Sequence, residues 1–195
     1  MKKIILILFG IVALIGVAGC NTIDSGSGEG GVGLDAGDSN GQKIDDGGAV
    51  LGWKDTQLTD VRTGQTFTVA QFTGKPILLE SFAVWCPTCL QQQGEVKVLE
   101  EQEGDSIIHI SIDTDPNEDE DRVSEHIQQY GFNWWFAVSP SSMTQSLIDE
   151  FGISVVNAPG APVVAICPDQ SAHLLRRGVK SAGEMKEEIT KRCNG

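Results

Sequence analysis

The sequence predicts an α/β domain: a mostly parallel central sheet flanked by helices, with an antiparallel edge and a small N-terminal hairpin. Three observations carry that expectation. Ile77–Val84 is an almost unbroken apolar run, the pattern of a strand covered on both faces, and Ser106–Asp113 reads as another buried strand. Segments of helical character stand between the strand-like runs, as parallel strands require. The last two strand-like runs, Pro162–Cys167 and Ala172–Arg177, are separated only by a turn at Pro168-Asp169-Gln170.

The elements follow in order. Gln57–Val61 and Gln65–Val69, joined by Arg62-Thr63-Gly64, read as an edge hairpin, and Gly74-Lys75-Pro76 punctuates the chain before the Ile77–Val84 strand. That strand holds one acid, Glu80. A helix-period segment runs from Cys86-Pro87-Thr88-Cys89 through Glu103, with Leu90, Val96, Val98 and Leu99 for its inner face. After the strand Ser106–Asp113, Glu118–Tyr130 is a polar-faced helix, capped by Asn117 and acidic in its first turn as the helix dipole favours. Asn133–Val138 is a strand whose Trp134 and Trp135 read as packing and edge residues. Met143–Phe151 is a helix ended by Gly152, and Ser181–Arg192 is the closing helix.

A chain of 195 residues has the length of one domain, and 14 Lys+Arg against 27 Asp+Glu, a net charge of −13, leaves no basic patch to neutralise a phosphate backbone. Nucleic acid is therefore not an expected partner. Residues 1–20 have the form of an export signal: Lys2 and Lys3, then sixteen uncharged residues from Ile4 to Gly19. Val17-Ala18-Gly19-Cys20 resembles the lipobox of lipoprotein signal peptides, which implies a lipidated Cys20 at the outer face of the cytoplasmic membrane. An uncleaved anchor, or a plain signal peptide with an unmodified Cys20, are the alternatives, and each leaves the rest of the chain outside the cytoplasm. Residues 21–48 hold nine glycines and six acids against Lys43 alone, too little apolar surface to offset ordering, so they read as a flexible tether. The functional domain is then 49–195.

Five cysteines, at 20, 86, 89, 167 and 193, contain one close pair. Cys86 falls at the first turn of a helix, where free N–H groups and the positive dipole end favour a thiolate over the usual thiol of pKa ~8.5. Pro87 suits the first helical position. Two intervening residues let Cys89 close a small disulfide ring and release a partner held on Cys86, which is dithiol–disulfide exchange. A structural disulfide or half of a zinc site are the other readings. Zinc wants a second ligand pair at short spacing, yet Cys167 lies 78 positions on and His109, His126 and His173 are scattered, so neither a metal nor another cofactor is expected. Glu80 lies six residues before Cys86, an even offset that puts it on the face beneath the dithiol, where a buried acid of raised pKa could take the proton of Cys89. A solvated strand-end acid is the alternative.

Ile77-Leu78-Leu79-Glu80 through Trp85-Cys86-Pro87-Thr88-Cys89 resembles the active-site strand and motif of the thioredoxin superfamily, and Gly74-Lys75-Pro76 resembles the extracytoplasmic TlpA/ResA/DsbE-type branch. The resemblance covers about residues 53 to 192, including an extra helix and strand at 118–138. It implies a thioredoxin-like fold and a membrane-tethered thiol–disulfide oxidoreductase acting on protein thiols and disulfides, recharged by a membrane or thioredoxin-type electron donor. It also places Glu80 as the buried acid, and Ala161-Pro162, in preference to Pro159, as a cis-proline loop pairing with an extended substrate. Trp85, Pro87 and Thr88 join that substrate-facing surface. Ser81-Phe82-Ala83-Val84 departs from the family's usual approach to the motif, and Cys167 and Cys193 are not general features of it. In this topology the last helix runs back toward the terminal hairpin, bringing Cys193 near Cys167 for a disulfide, unless both remain thiols.

Other features read plainly. Asp113 to Asp121 is rich in acids but lacks the Gly and Glu of an EF-hand loop at Glu118 and Ser124. Two further functions compete. A peroxiredoxin-like peroxidase wants a Thr-x-x-Cys motif, which the residues before Cys86 do not form, and a non-catalytic binding module for partner polypeptides would make the dithiol dispensable.

Overall fold

The computed structural model describes residues 52–193; the expected signal peptide with Cys20 and the tether at 21–48 lie outside them. Leu58–Thr59 (β1) pairs antiparallel with Thr66–Phe67 (β2). Five strands form the main sheet: Ile77–Phe82 (β3), Ile108–Asp113 (β4), Trp135–Val138 (β5), Val163–Ile166 (β6) and Ala172–Leu174 (β7), in the spatial order β5-β4-β3-β6-β7. β4 runs parallel to both β3 and β5, with Glu80 opposite Ser111, whereas β6 runs antiparallel to both β3 and β7, with Glu80 opposite Val163. The sheet is thus mixed, as a thioredoxin-like fold with a central mixed sheet implies, but in equal parts rather than mostly parallel. The reason lies in the entry to β6. Two 3-10 turns, at 153–156 and 158–160, carry the chain to the end at which β3 finishes, where Ser81 N–H donates to the Pro162 carbonyl.

The helices are Pro87–Glu103 (α1), Glu120–Tyr130 (α2), Ser141–Phe151 (α3) and Ala182–Cys193 (α4). Alternation along β3 divides the core. Leu78 and Phe82 pack with Val96 and Leu99 of α1, Val123 and Ile127 of α2, and Met185 and Ile189 of α4. Ile77 and Leu79 face the other way, onto Met143 and Leu147 of α3 and onto Leu58 and Phe67 of the hairpin. Buried Asp60 fastens that hairpin to β5: its carboxylate accepts from Phe136 N–H (3.1 Å) and the Thr63 hydroxyl (2.6 Å).

Two local expectations change. The buried stripe of α1 is Cys89, Gln92, Gln93, Val96 and Leu99, at helical spacing from the second cysteine, and Val98 falls off it at 42% exposed. α2 is capped by Asp119, whose carboxylate accepts from Arg122 N–H at 3.0 Å, while Asn117 turns back onto Asp115. Gly131 ends that helix at φ +67°, a left-handed cap that glycine adopts without penalty. Trp134 is buried and lies 4.7 Å, ring to ring, from Phe132; Trp135 packs on Phe67 at 4.8 Å. Cys167, just after β6, and Cys193, at the end of α4, form a disulfide with their Cα atoms 5.2 Å apart. Among the described residues no helix is long and apolar enough to cross a membrane.

Candidate active site

β3 delivers the chain into a short turn, closed by Cys86 N–H on the Ala83 carbonyl at 3.1 Å, and α1 starts directly after it. Cys86 is the N-cap residue. Its sulfur accepts from the Cys89 N–H at 3.4 Å, and Pro87 occupies the first turn, where a missing N–H costs nothing. The positive end of α1 therefore faces this sulfur. Cys89 points inward and its thiol donates to the Ala158 carbonyl at 3.2 Å. Both cysteines are free thiols and both are buried, while Pro87 is exposed and Thr88 half-buried. Burial pushes the Cys89 thiol far above the ordinary range, and its contact with Cys86 and the charge of Glu80 act in the same direction.

Glu80 lies on the Leu78 and Phe82 face of β3, beneath α1, and is 2% exposed. Ser111 on β4 donates its hydroxyl to Glu80 Oε2 (3.0 Å), and Trp134 Nε1 donates to the same Ser111 oxygen (3.0 Å). Glu80 Oε1 has no hydrogen-bond partner among the described residues. Burial pushes this carboxyl up to about 8; the Ser111 hydrogen bond, the charge of Lys180 and the Gln93 amide, which lies outside hydrogen-bond geometry, oppose that rise. A carboxyl so placed is neutral at pH 6 and becomes a base just above neutrality.

Beside the dithiol, Trp85 is the exposed member of the motif at 56%. Its Nε1 donates to Asp115 Oδ2 at 2.6 Å, and this hydrogen bond is the main reason the Asp115 carboxyl sits below the usual carboxylate range. The indole forms one wall of a cleft of about 450 Å³ whose other sides include Ala83, Asp115, Asn117, Asn157 and Pro159. Two buried acids brace the approach from below. Glu118 Oε2 accepts from Val84 N–H (2.6 Å), and Asp113 Oδ1 accepts from Asp115 N–H (2.9 Å). Burial raises Asp113 to about 7, with the charges of Glu118 and Asp115 adding to it against the Asp115 N–H bond.

One expectation is corrected here. No peptide bond among the described residues is cis, so Ala161-Pro162 is a trans pair, and both residues are buried away from the cleft. The turn is made instead by Ala161 at φ +44°, with its N–H on the Ala158 carbonyl, and Val156–Pro159 line the cleft in its place. Sequence reasoning also passed over Ser111, Glu118, Gln92 and Lys180. Each acquires its role from a partner at least 30 residues away or from the α1 face, so no local pattern marks it.

A family model described as Redoxin matches residues 43–168. A curated relative from Haemophilus influenzae, described as an uncharacterized protein, is 30% identical over 76 residues, 39% of this chain and 48% of its own; the chain thus spans about half the length of the curated relative it matches. Among solved structures, DsbF of Mycobacterium tuberculosis is 17% identical with a TM-score of 0.58, over 73% of this chain and 98% of the other. A secreted disulfide oxidoreductase of the same organism, homologous to DsbE of Escherichia coli, is 17% identical with a TM-score of 0.54, over 71% and 97%. These likenesses show a thioredoxin-like fold.

Proposed function

The chain belongs to the Redoxin family, and from that premise we propose that it is a thiol–disulfide oxidoreductase whose Cys86–Cys89 pair exchanges disulfides with protein partners outside the cytoplasm. One observation carries the reading: a helix-capping sulfur, Cys86, faces the amide of a second buried cysteine, and a buried acid of raised pKa lies beneath that pair. The secreted disulfide oxidoreductase among its structural neighbours supports the same chemistry. Cys20 anchors the chain in the membrane through its lipid, residues 21–48 act as the tether, and a membrane or thioredoxin-type donor returns electrons to the dithiol.

In the reducing direction the Cys86 thiolate attacks one sulfur of a substrate disulfide. The substrate S–S bond breaks, a Cys86–substrate mixed disulfide forms, and the departing substrate thiolate takes a proton from solvent. Cys89 then gives its proton to the Glu80 carboxylate and attacks the Cys86 sulfur. The Cys86–Cys89 bond forms, and the second substrate thiolate leaves and is protonated as Glu80 gives up its proton and returns to the carboxylate. The substrate has gained two electrons from the dithiol and two protons, one from solvent, which had taken that of Cys86, and one from Cys89 by way of Glu80. Oxidation of a substrate dithiol is the same sequence reversed. Trp85 and the Asn157–Pro159 turn flank the cleft in which the substrate segment lies.

Insulin reduction and peroxide consumption by the reduced full chain, run beside Cys86→Ser, test the assignment. Disulfide reduction that Cys86→Ser abolishes is expected. Peroxide consumption alone would mark a peroxidase, and turnover of neither substrate would mark a binding module.

A further inference from the structure

Lys180, between β7 and α4, is among the largest wholly buried side chains of the domain. An ammonium leaves water at a heavy cost unless each N–H finds an acceptor. Here all three are taken by backbone carbonyls: Nζ donates to Ala161 (2.6 Å), Gly178 (2.7 Å) and Arg176 (3.3 Å). No carboxylate forms an ion pair with it among the described residues. A buried cation held only by dipoles demands a reason beyond packing, since an apolar side chain of similar length would fill the space without dehydrating a charge.

What Lys180 joins supplies that reason. Its own backbone is clamped by Gln92, with N–H on Oε1 at 2.8 Å and carbonyl accepting from Nε2 at 3.0 Å, and Gln92 sits one turn beyond Cys89 on the buried face of α1. At its other end the ammonium holds the carbonyl of Ala161, the left-handed residue of the turn whose Ala158 carbonyl receives the Cys89 thiol. Gly178 N–H on the Gly160 carbonyl (2.8 Å) fastens the same turn a second time. One residue therefore ties the helix bearing both cysteines to the turn facing the second of them.

We propose that Lys180 is a positioning residue of the exchange site: it holds the Ala158–Ala161 turn against α1 so that Cys89 is aimed, and while protonated its ammonium favours the carboxylate of Glu80 as proton acceptor. The inference rests on the function proposed above. The groups that act on the Glu80 carboxyl are Ser111 from β4, Gln93 from α1 and the charge of Lys180, and the Glu80 charge in turn acts on the Cys89 thiol; those that act on Lys180 through their charge are Glu80 from β3, Arg176 on its own segment and Glu184 from α4. Glu80 and Lys180 each favour the charged form of the other, although burial is the larger influence on both and brings Lys180 down to about 8. Lys180 thus remains largely cationic at neutral pH.

The test follows the Glu80 carboxyl by 13C NMR in the reduced full chain, as wild type, Lys180→Met and Lys180→Gln. Loss of the charge raises the Glu80 midpoint by about half a unit or more in both variants, and resolution of a Cys86 mixed disulfide at pH 7 slows about threefold or more in step with the smaller ionised fraction. In a Glu80→Gln background, Lys180→Met no longer changes the pH profile. An unmoved Glu80 midpoint in a folded variant, whatever its stability, reduces Lys180 to a structural residue and overturns the proposal. Should neither variant fold, the Lys180 Nζ midpoint decides: it falls in Glu80→Gln, where the carboxylate that favours the ammonium is gone, and a midpoint equal to that of the wild type overturns the coupling. A wild type that exchanges no disulfides defeats the assigned function, while the NMR titration still reads the coupling.

Discussion

On the function proposed above, a single exposed side chain separates substrate recognition from chemistry in this site. Trp85 contributes area to the cleft and is oriented by Asp115, but neither forms nor breaks a bond. Trp85→Ala should raise KM for a protein substrate several-fold and leave the rate with a small aromatic disulfide within about twofold, as measured by steady-state kinetics on both. Equal losses with the two substrates contradict a recognition role. Glu118→Ala removes the acceptor of Val84 N–H, and a stranded buried donor costs about 1–3 kcal/mol, readable by urea unfolding. At this scale the sequence is legible where placement follows from spacing: Cys86 and Cys89 side by side by their interval, Glu80 beneath α1 by parity along its strand. Lys180 and Ser111 were illegible, since a lysine after a hairpin and a serine in a strand ordinarily face water, and only the assembled sheet reveals what they touch.

The elements were legible in kind and order, and the misreadings have physical causes. α1 presents two glutamines inward because its face is set by the position of Cys89, and their amides serve the Lys180 backbone and, at 2.7 Å, the His126 ring. An apolar count cannot anticipate a polar stripe with dedicated partners. The direction of β6 was obscured because two short turns, rather than a crossover helix, lead into it. At the far end of that strand, the Cys167–Cys193 bridge closes a loop of sequence separation 26 and ties α4 to the sheet. Cys193→Ser should lower unfolding free energy by about 3 kcal/mol in non-reducing urea titrations, through the entropy restored to the unfolded chain. No change would mean that packing of Met185 and Ile189 alone secures α4.

For the whole molecule, buried ionisable groups set an unusual pH response. Glu80 is raised from 4.5 to about 8 and Asp113 from 3.8 to about 7, so between these values the folded chain keeps protons the unfolded chain has released, and stability falls as pH rises. For Glu80 alone the full span is worth roughly 5 kcal/mol. His109, lowered by burial from 6.5 to about 4, acts oppositely: its stabilising share is complete above 6.5 and is lost as pH falls toward 4. Burial lowers His126 in the same sense. Below 6.5 the two influences offset each other; above it the carboxyls dominate until, near 8, Lys180, lowered by burial from 10.5 to about 8, begins to oppose them. The urea midpoint should therefore decline from pH 6.5 to 8, and Glu80→Gln should flatten that decline, whereas a midpoint rising over this range contradicts the assignment of buried neutral acids. On the proposed function, the same titration governs the chemistry. The most direct measurement is the single-turnover rate at which Cys89 resolves a mixed disulfide on Cys86, followed from pH 6 to 9 in wild type and Glu80→Gln. With Glu80 as proton acceptor, the wild-type rate climbs along a limb with its midpoint near 8, and Glu80→Gln is slower by about a hundredfold and lacks that limb. Superimposable pH profiles would contradict it.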